Sequence, residues 1–340
     1  MDSFVTRQPR ATSCKTRLKF VSWNVDGLDS SPDLTERAAA AAKVLVNLRP
    51  DVIFLQELTA ENLGLFEDAL ACAGFAGICE RSGQPYFAGM FLNMERVVVQ
   101  QCTTLDFPTS QMGRHLISVK ASIDGVPVTL MTSHLESCAS SAEERERQLR
   151  QVFTALSKAR REGTLVIFAG DTNLRDSEVN KIGGVPEGIQ DVWEAAGKPT
   201  AEKFTWDLKL NTNVKMENGS TPRCRFDRAY FAQDVIPGTR VAHLSLLGRE
   251  VCTRGGRRPS DHFGISWALD MAPCASTTPP TAEEESGGMS VPTADEFPSG
   301  GAEEDNERGA EKKRVTPEVE GDVDDERAKR LRALERRGLC

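Results

Sequence analysis

The sequence contains no long apolar run, no secretion signal and no CxxC cysteine pair, which argues against a membrane or secreted protein. No segment approaches the roughly 18 consecutive apolar residues that a membrane span needs, so we expect a soluble protein without membrane association. The N-terminal residues are basic and rich in Ser and Thr but lack an apolar centre, which leaves an organelle-targeting signal open beside a short disordered leader. Nine cysteines without a paired spacing favour a reducing intracellular compartment.

The sequence also lacks the net positive charge that is typical of nucleic-acid-binding proteins, because its formal net charge is −8. From Met271 onward, however, 17 acidic and 10 basic side chains account for −7 of that charge, and the first 270 residues carry only −1. The residues after Met271 are rich in Pro, Gly, Ser, Thr and Glu and cannot bury enough apolar surface to offset the entropy of ordering. The acidity therefore does not exclude a nucleic-acid partner for the rest of the chain.

Composition divides the 340 residues into three parts. We expect a disordered leader over residues 1–16, a folded catalytic domain over 17–270 and an acidic low-complexity tail over 271–340. The tail ends in DDERAKRLRALERRGLC, which is typical of a short charged helix, either solvated or bound to an unidentified protein partner. The basic run KKR at 312–314 is typical either of a nuclear localisation signal or of an ordinary solvated cluster.

Short apolar strands alternate with amphipathic helices between residues 17 and 270. The segments LTERAAAAAKVLVNLR and SAEERERQLRQVFTALSKARRE have the apolar stripe of helices, and SIDGVPV contains an Asp-Gly turn that predicts a hairpin. Helices interspersed with antiparallel strands predict an α/β sandwich with mixed sheets, in two or four layers. The predicted strands are LKFVSWNV, DVIFLQEL, FAGMFLNM, HLISVKAS, VTLMTSHL, TLVIFAGD, CRFDRAYF and HFGISWAL.

Acids, amides and imidazoles recur at the ends of these strands. An unpaired polar group that is partly desolvated there costs on the order of 1–3 kcal/mol, so the groups must pair with one another or with a metal ion. Taken singly, an Asp after a strand is more often a turn or a cap, and a His is more often structural, so the joint pattern is what indicates a site. The residues concerned are Asn24, Asp26, Gln56, Glu57, His134, Asp171, Asn173, Asp227, Asp261 and His262.

These residue types are the parts of a metal-assisted phosphoester hydrolase. Glu57 and Asp26 offer the hard carboxylate oxygens that Mg²⁺ prefers. Asp171 is the candidate that accepts a proton from an attacking water, and Asn173 would hold that water or the phosphate. His262 would stabilise charge on a phosphoryl oxygen. Asp227 would orient the imidazole through its other ring nitrogen.

The order WN, LQE, SHLES, GDTN, FDR and SDH resembles the endonuclease/exonuclease/phosphatase superfamily. The longer strings WNVDGLD, LMTSHLES, IFAGDTNLRDSEV, GIQDVWEAAGKP, FTWD and RFDRAYF resemble its 5′-tyrosyl-DNA phosphodiesterase family over about residues 17–270. The resemblance implies a four-layer α/β sandwich with two mixed β-sheets flanked by helices. It also implies hydrolysis of the 5′-phosphotyrosyl bond between a topoisomerase-derived tyrosine and DNA, which leaves a 5′-phosphate, by Mg²⁺-assisted in-line attack of water, with Mn²⁺ as an alternative ion.

The resemblance also assigns roles to individual residues. It makes Glu57 and Asp26 the metal side and Asp171 the proton-transferring carboxylate, with Asn24, Asn173 and His262 around the scissile phosphate. The residues expected to contact the 5′ end of the DNA are His134, Glu136, Ser137, Leu174 and Arg175, and the aromatics expected along the single strand are Tyr86 and Trp206. For Trp206, a packing role at a strand end is the alternative.

The expected substrate is DNA with a 5′-tyrosyl or peptide adduct and a single-stranded 5′ end, acted on by a monomer in the nucleus and also in the cytoplasm. The nearest alternative is another enzyme of the superfamily, such as an abasic-site endonuclease, a deadenylase or an inositol-phosphate phosphatase. A non-catalytic DNA-binding scaffold is the alternative of another class, and it is disfavoured because the candidate Glu57, Asp171 and His262 are all present. CAS at 138–140 stands where the family often has a basic residue, and the first strand, near Leu18, leaves no room for a preceding ubiquitin-binding domain.

Overall fold

The computed structural model describes residues 17–79, 84–232 and 234–271. The expected leader, tail, C-terminal helix and KKR run therefore lie outside the described residues, apart from Met271. Two six-stranded sheets dominate the described part. The first has the order β13-β14-β1-β2-β4-β3 and the second the order β5-β6-β7-β8-β12-β9. The strands are β1 Arg17–Asn24, β2 Val52–Thr59, β3 Phe75–Cys79, β4 Tyr86–Asn93, β5 Val97–Asp106, β6 His115–Ile123, β7 Val126–Thr132, β8 Leu165–Asp171, β9 Ile189–Asp191, β10 Trp206–Asp207, β11 Arg223–Cys224, β12 Asp227–Ala232, β13 Arg240–Leu247 and β14 Gly264–Asp270.

Helices cover the outer face of each sheet. The helices are α1 Leu34–Leu48, α2 Ala60–Ala71, α3 Ala142–Arg161, α4 Asp176–Lys181 and α5 Val192–Ala195, with short 3-10 turns at Ala139–Ser141 and Thr200–Glu202. No helix in the described ranges combines the length and the apolar character that crossing a membrane would require.

Three hydrophobic clusters define the layers of the fold. The central cluster joins the inner faces of both sheets, with Phe54 of the first sheet and Ile167 of the second fully buried in it. A second cluster packs α1 and α2 on the first sheet, and a third packs α3 and α4 on the second sheet. The order helix, sheet, sheet, helix confirms the predicted four-layer α/β sandwich.

The sheets are mixed, as predicted, and this arrangement positions the polar strand ends. Strands β1 and β2 are parallel around α1, and β7 and β8 are parallel around α3, while the other pairs within the two large sheets are antiparallel. The carboxyl ends of parallel neighbours meet at one edge of a sheet. Residues that follow β1, β2, β7 and β8 are thereby gathered together, and β12 places Asp227 opposite Asp171.

The β6–β7 hairpin forms where the Asp-Gly turn predicts it. Asp124 has φ 49° and Gly125 has φ 85°, the left-handed conformations that a two-residue turn between twisted strands requires. The pairing runs from Ile123 opposite Val126 to Ile117 opposite Thr132. The turn therefore fixes the register that brings the end of β7 to the site.

Candidate active site

The backbone is in the left-handed region at three of the polar strand ends. Asp26, Glu57 and Asn173 have φ of 52°, 57° and 52°, a conformation that costs of order 1–3 kcal/mol for residues other than glycine. At Glu57 the cause is a register shift between Leu55 and Leu58 in the pairing of β2 with β4. A bulge of this kind re-aims one side chain out of the alternating pattern, and here it directs Glu57 into the site.

Two glycines allow the site segments to approach one another closely. A Cβ added at Gly27 would lie 2.1 Å from the carbonyl oxygen of Glu57, and one added at Gly170 would lie 2.0 Å from the carbonyl oxygen of Ser133. Both distances are far inside van der Waals contact. Gly27 therefore lets the loop after β1 rest on the Glu57 bulge, and Gly170 lets β8 contact the loop after β7.

Asn24 joins the two halves of the fold at the centre of the site. Its Nδ2 donates to Glu57 Oε1 and to Asp171 Oδ2, both at 2.9 Å. All three side chains are fully buried. Two buried carboxylates are thus held by one amide, which keeps Glu57 of the first sheet and Asp171 of the second next to each other without a direct bond between them.

Asp171 lies within reach of two imidazoles. Its Oδ1 accepts from the backbone N–H of Asn173 at 2.9 Å, and its Oδ2 lies 3.3 Å from His134 Nε2 and 3.8 Å from His262 Nε2. His134 Nε2 is also 3.1 Å from the side-chain amide of Asn173. The sequence-based grouping of Asp171, Asn173 and His262 is therefore reproduced, and the strained turn at Asn173 is what brings its N–H to the carboxylate.

Asp227 orients His262 as predicted. Asp227 Oδ2 is 2.7 Å from His262 Nδ1, which leaves Nε2 directed toward Asp171. Burial would lower the pKa of His262, but the carboxylates of Asp227, Asp261 and Asp171 outweigh that effect and raise its pKa well above the usual value. The imidazole is therefore cationic at neutral pH and can donate a proton or a hydrogen bond to an anion.

The backbone of the 260–262 segment is fixed from two sides. Ser260 Oγ donates to the carbonyl of Asn24 at 2.6 Å and accepts from the N–H of His262 at 3.0 Å. Trp23 Nε1 donates to the carbonyl of His262 at 3.0 Å. These bonds connect the SDH motif at 260–262 to the WN motif at 23–24, which lie near opposite ends of the domain's sequence.

The donor set of the site fits a divalent metal ion. Among the described residues, two groups of His, Asp and Glu bring their ligand atoms within 4.8 Å of one another. Buried carboxylates and imidazoles within this distance are suitable metal ligands. The groups are Glu57, His134 and Asp171, and Asp171, Asp227 and His262.

Asp26, predicted to join Glu57 on the metal side, lies in the loop after β1 and stays a prediction as a metal ligand. Asp26 belongs to neither group, and its Oδ2 is bound to the guanidinium of Arg37 at 2.6 Å. Burial and the nearby Asp261 raise the pKa of Asp26 to about 7, although Arg37 lowers it. Arg37 therefore fixes the orientation of the Asp26 carboxylate in the loop that follows Asn24.

The residues expected to contact DNA occupy different environments. Ser137 lies at the site, with its Oγ 3.3 Å from Asn173 Nδ2. Arg175 is partly exposed, with 23% of its side chain accessible. Tyr86 is mostly buried beside His134, with ring centroids 5.9 Å apart. Ser137 and Tyr86 therefore lie beside the catalytic residues, and Arg175 is on the surface.

Three of the residues predicted to contact DNA have buried side chains, and their DNA contacts stay predictions. The carboxylate of Glu136 accepts from four protein donors at 2.7–3.1 Å, so it serves to hold the adjoining loop. Leu174 is fully buried in the cluster under α3 and α4. Trp206 is 2% exposed, donates to Asp261 Oδ2 at 3.1 Å and packs on Phe226.

Sequence reasoning missed Arg114, which lies beside this group. Its guanidinium is mostly buried, stacks over the ring of Tyr86 at 4.6 Å, and donates to Tyr86 Oη at 2.6 Å and to Ser137 Oγ at 3.4 Å. The hydroxyl groups of Tyr86 and Ser137 do not neutralise the positive charge of the Arg114 guanidinium, so this side chain is suited to bind an anionic ligand. A single Arg before a strand carries no motif, because only the folded chain brings it next to Tyr86 and Ser137.

Asp176, which the sequence left without a role, binds two arginines. Its carboxylate lies 2.8 Å from Arg228 Nη2 and 3.0 Å from Arg225 Nη2. Burial would raise its pKa, but Arg228 and Arg225 lower the pKa of Asp176 to about 2. These pairs fix the start of α4 directly after the GDTNLRD segment.

We expect the stabilising effect of Asp176 to disappear at low pH. The pKa of Asp176 is about 3.9 in the unfolded chain and lower in the folded chain. The two ion pairs therefore stabilise the fold fully above about pH 4, and this stabilisation is lost as the pH falls through about 2. Asp176→Asn should therefore lower the urea midpoint of unfolding at pH 6, and the difference from the parent should shrink steadily below about pH 4. A difference that stays constant, or an equal one for Asp68→Asn on the exposed face of α2, would refute this role.

Comparisons with known proteins show which family the chain resembles. Residues 21–262 match the Endonuclease/Exonuclease/phosphatase family. Tyrosyl-DNA phosphodiesterase 2 from Danio rerio is 42% identical over 252 residues, which cover 74% of this chain and 66% of that protein. The Homo sapiens protein of the same name is 39% identical over 255 residues, which cover 74% of this chain and 68% of that protein. The aligned part thus spans about two thirds of these relatives. A crystal structure of the Danio rerio enzyme with single-strand DNA product matches with TM-score 0.69 and 39% identity, covering 75% of this chain and 99% of that one.

Proposed function

Since the chain belongs to the endonuclease/exonuclease/phosphatase family, on its tyrosyl-DNA phosphodiesterase 2 branch, we propose that it hydrolyses the bond between a tyrosine side chain and the 5′-phosphate of DNA. The observation that carries the proposal is the buried cluster in which Asn24 holds Glu57 and Asp171, and in which Asp227 holds His262. The products would be a free tyrosine or peptide and DNA with a 5′-phosphate.

Asp171 acts as the general base in this mechanism. Its Oδ1 accepts from the N–H of Asn173 and its Oδ2 from the side-chain amide of Asn24, which fixes the orientation of the carboxylate. A water on this carboxylate loses its proton to Asp171 as the oxygen attacks phosphorus. The amide of Asn173, held beside His134 and Ser137, limits the positions that the phosphate can occupy.

His262 stabilises the negative charge that develops on the phosphoryl oxygens. Its cationic state is maintained by Asp227, and its Nε2 lies on the side of Asp171 where the phosphate would bind. A preorganised donor of this kind in a dry site is typically worth several kcal/mol in the transition state. The tyrosine phenolate, with a pKa near 10 for its conjugate acid, leaves far more readily than a sugar alkoxide.

We propose Mg²⁺ as the metal ion, with Mn²⁺ as an alternative. Glu57 would hold it, since this carboxylate projects from a bulge into the site and contacts Asn24, and Asp26, in the loop after β1, is the second proposed carboxylate. When bound, the ion would supply a positive charge that polarises the phosphate. Removal of metal ions by EDTA should abolish the activity, and Mg²⁺ should restore it.

A substrate panel tests the proposal directly. Purified chain with Mg²⁺ is incubated with oligonucleotides that carry a 5′-tyrosyl end, a 3′-tyrosyl end or an abasic site, and with polyadenylated RNA. We expect release of tyrosine from the 5′-tyrosyl, single-stranded end at a rate at least about 100-fold above the others, because only that substrate combines a phenolate leaving group with an accessible 5′ end. Faster cleavage of the abasic or polyadenylated substrate would replace the proposal by an abasic-site endonuclease or a deadenylase.

A nuclear location and recruitment by partners are further parts of the proposal. They rest on the KKR run at 312–314 and on the acidic tail, both of which lie outside the described residues, and on the DNA substrate itself. Loss of nuclear accumulation in a tagged chain without residues 308–340 would support them, and an unchanged location would refute the role of the tail. We propose that the enzyme acts as a monomer, which sedimentation analysis can check.

A further inference from the structure

Two fully buried arginines occupy corresponding places in the two halves of the fold. Arg37 lies on α1, which connects the parallel strands β1 and β2, and Arg145 lies on α3, which connects the parallel strands β7 and β8. Neither residue is exposed to solvent. A buried guanidinium is costly unless its donors are satisfied, so its partners identify what each arginine holds in place.

Arg37 connects the loop after β1 to the loop before β14. Its Nη2 binds Asp26 Oδ2 at 2.6 Å, its Nη1 binds the carboxylate of Asp29, and its Nε donates to the carbonyl of Arg258 at 2.8 Å. Asp29 also accepts an ion pair from Arg257 Nη2 at 2.7 Å. The first loop follows Asn24 directly, and the second continues directly into Ser260 and His262.

Arg145 connects the loop after β7 to the segment after β8. Its Nη1 donates to the carbonyl of Glu136 at 3.2 Å and also to the carbonyl of Cys138. Its Nη2 binds Glu178 Oε1 at 2.6 Å. The other oxygen of Glu178 accepts the N–H of Arg175 at 2.8 Å. One guanidinium therefore fixes both loops that flank Ser137 and Asn173.

We propose that Arg37 and Arg145 are a matched pair of positioning residues, each of which joins the two active-site loops of its own half of the sandwich. Neither touches the reacting atoms, so each acts through the residues it holds. A planar guanidinium suits this task because its five donors can bind two segments at fixed angles, whereas the single ammonium of lysine cannot. The assignment to particular kinetic steps rests on the proposed function.

The two arginines should affect different kinetic constants. Arg37 holds the segments that carry Asn24 and His262, so Arg37→Met should lower kcat about 100-fold on both a 5′-tyrosyl oligonucleotide and a small aryl phosphodiester, in line with the cost of misplaced catalytic groups. Arg145 holds the loops beside Ser137 and Arg175. Arg145→Met should therefore raise KM for the oligonucleotide about tenfold while changing kcat for the small substrate by less than about threefold.

Arg96 provides the matched control. It is 10% exposed and binds Asp51 and Asp124. Asp51 immediately precedes β2, at the end of the strand opposite Glu57. Arg96→Met also removes buried ion pairs and should lower the unfolding temperature in the same way, but both kinetic constants should stay within about twofold of the parent.

Hydrogen exchange tests the inference without any substrate. Arg37→Met should accelerate exchange of the backbone amides in residues 25–33 and 249–262. Arg145→Met should accelerate exchange in residues 133–138 and 172–178. Arg96→Met should change exchange in none of these four segments. This result supports the positioning roles even if the substrate panel shows that the proposed reaction is wrong. Exchange that rises equally throughout the domain in all three variants would refute them, because the arginines would then contribute only to stability.

Lysine variants keep the test informative if a methionine variant does not fold. Arg37→Lys and Arg145→Lys preserve the charge but not the forked geometry, so each variant should fold. Arg37→Lys should still lower kcat and Arg145→Lys should still raise KM. The logarithm of each fold-change should be about a third or less of that in the methionine variant. Full recovery of the parental kinetics by lysine would overturn the proposal, because charge alone would then suffice.

Discussion

Asp171→Asn is expected to lower kcat for a 5′-tyrosyl oligonucleotide by about 1,000-fold at pH 7.5 with Mg²⁺, since general-base catalysis typically contributes 10²–10⁴-fold. The amide keeps nearly the same shape and its oxygen can still accept from one of the two donors, Asn24 or Asn173, but it cannot act as a base. KM should change by less than about threefold, because the loss occurs in the transition state. Release of tyrosine under single-turnover conditions, followed over hours, measures the remaining rate.

The control for this variant is Asp176→Asn, the same chemical change at the start of α4. Asp176 binds Arg225 and Arg228 and makes no contact with His262 or Asn173, so at pH 7.5 its replacement should leave kcat within about threefold of the parent. Activity of Asp171→Asn within about tenfold of the parent would rule out Asp171 as the base. Loss of the cooperative unfolding transition in Asp171→Asn would instead show that the carboxylate is needed for the fold.

The fold was largely predictable from local patterns, and its missing elements have physical causes. All eight predicted strands and both predicted helices are present, with ends that shift by a few residues. Strand β5 was missed because nine of its ten residues are exposed, so VVVQQCTTLD shows no alternation of apolar and polar residues. Helix α2 was missed because its start depends on a capping box between Thr59 and Asn62 rather than on a strong apolar stripe.

The site was predictable where a motif determines its own geometry. The pairing of Asp227 with His262, and the gathering of Asn24, Glu57 and Asp171, follow from polar residues at the ends of neighbouring strands. Long-range partners of the predicted residues are not revealed by any local pattern. Asp26 is bound to an arginine on the following helix.

The same limit explains the buried environments of Glu136 and Trp206 and the residue that was missed. Glu136 is surrounded by donors from the 110–112 loop and from α3, and the ring of Trp206 is covered by Phe226. A sequence shows that such side chains are present but not which neighbours saturate or cover them. Arg114 is the converse case, because its position beside Tyr86 exists only in the folded chain.

His262→Gln is expected to lower kcat/KM for the 5′-tyrosyl oligonucleotide by about 100- to 1,000-fold, which is the typical effect of removing one preorganised donor from a charge-stabilising site. Glutamine can donate a hydrogen bond but carries no positive charge. The exposed His243, whose Nε2 lies 3.1 Å from Ser245 Oγ, is the control, and His243→Gln should leave kcat/KM unchanged within about twofold. Equal losses in the two variants would mean that the His262 substitution acts through stability.

Asp227→Asn separates the charge of His262 from its position. Asp227 is the carboxylate that does most to raise the pKa of His262 against the effect of burial. Its replacement therefore lowers that pKa, and the imidazole loses its proton at a lower pH than in the parent. The rate of the parent should hold as the pH rises until His262 deprotonates. In Asp227→Asn the decline should begin at a lower pH, so the deficit of the variant should widen with rising pH to about 100-fold. A deficit of the same size at every pH would mean that Asp227 orients the ring without controlling its charge, and no deficit would remove Asp227 from the mechanism.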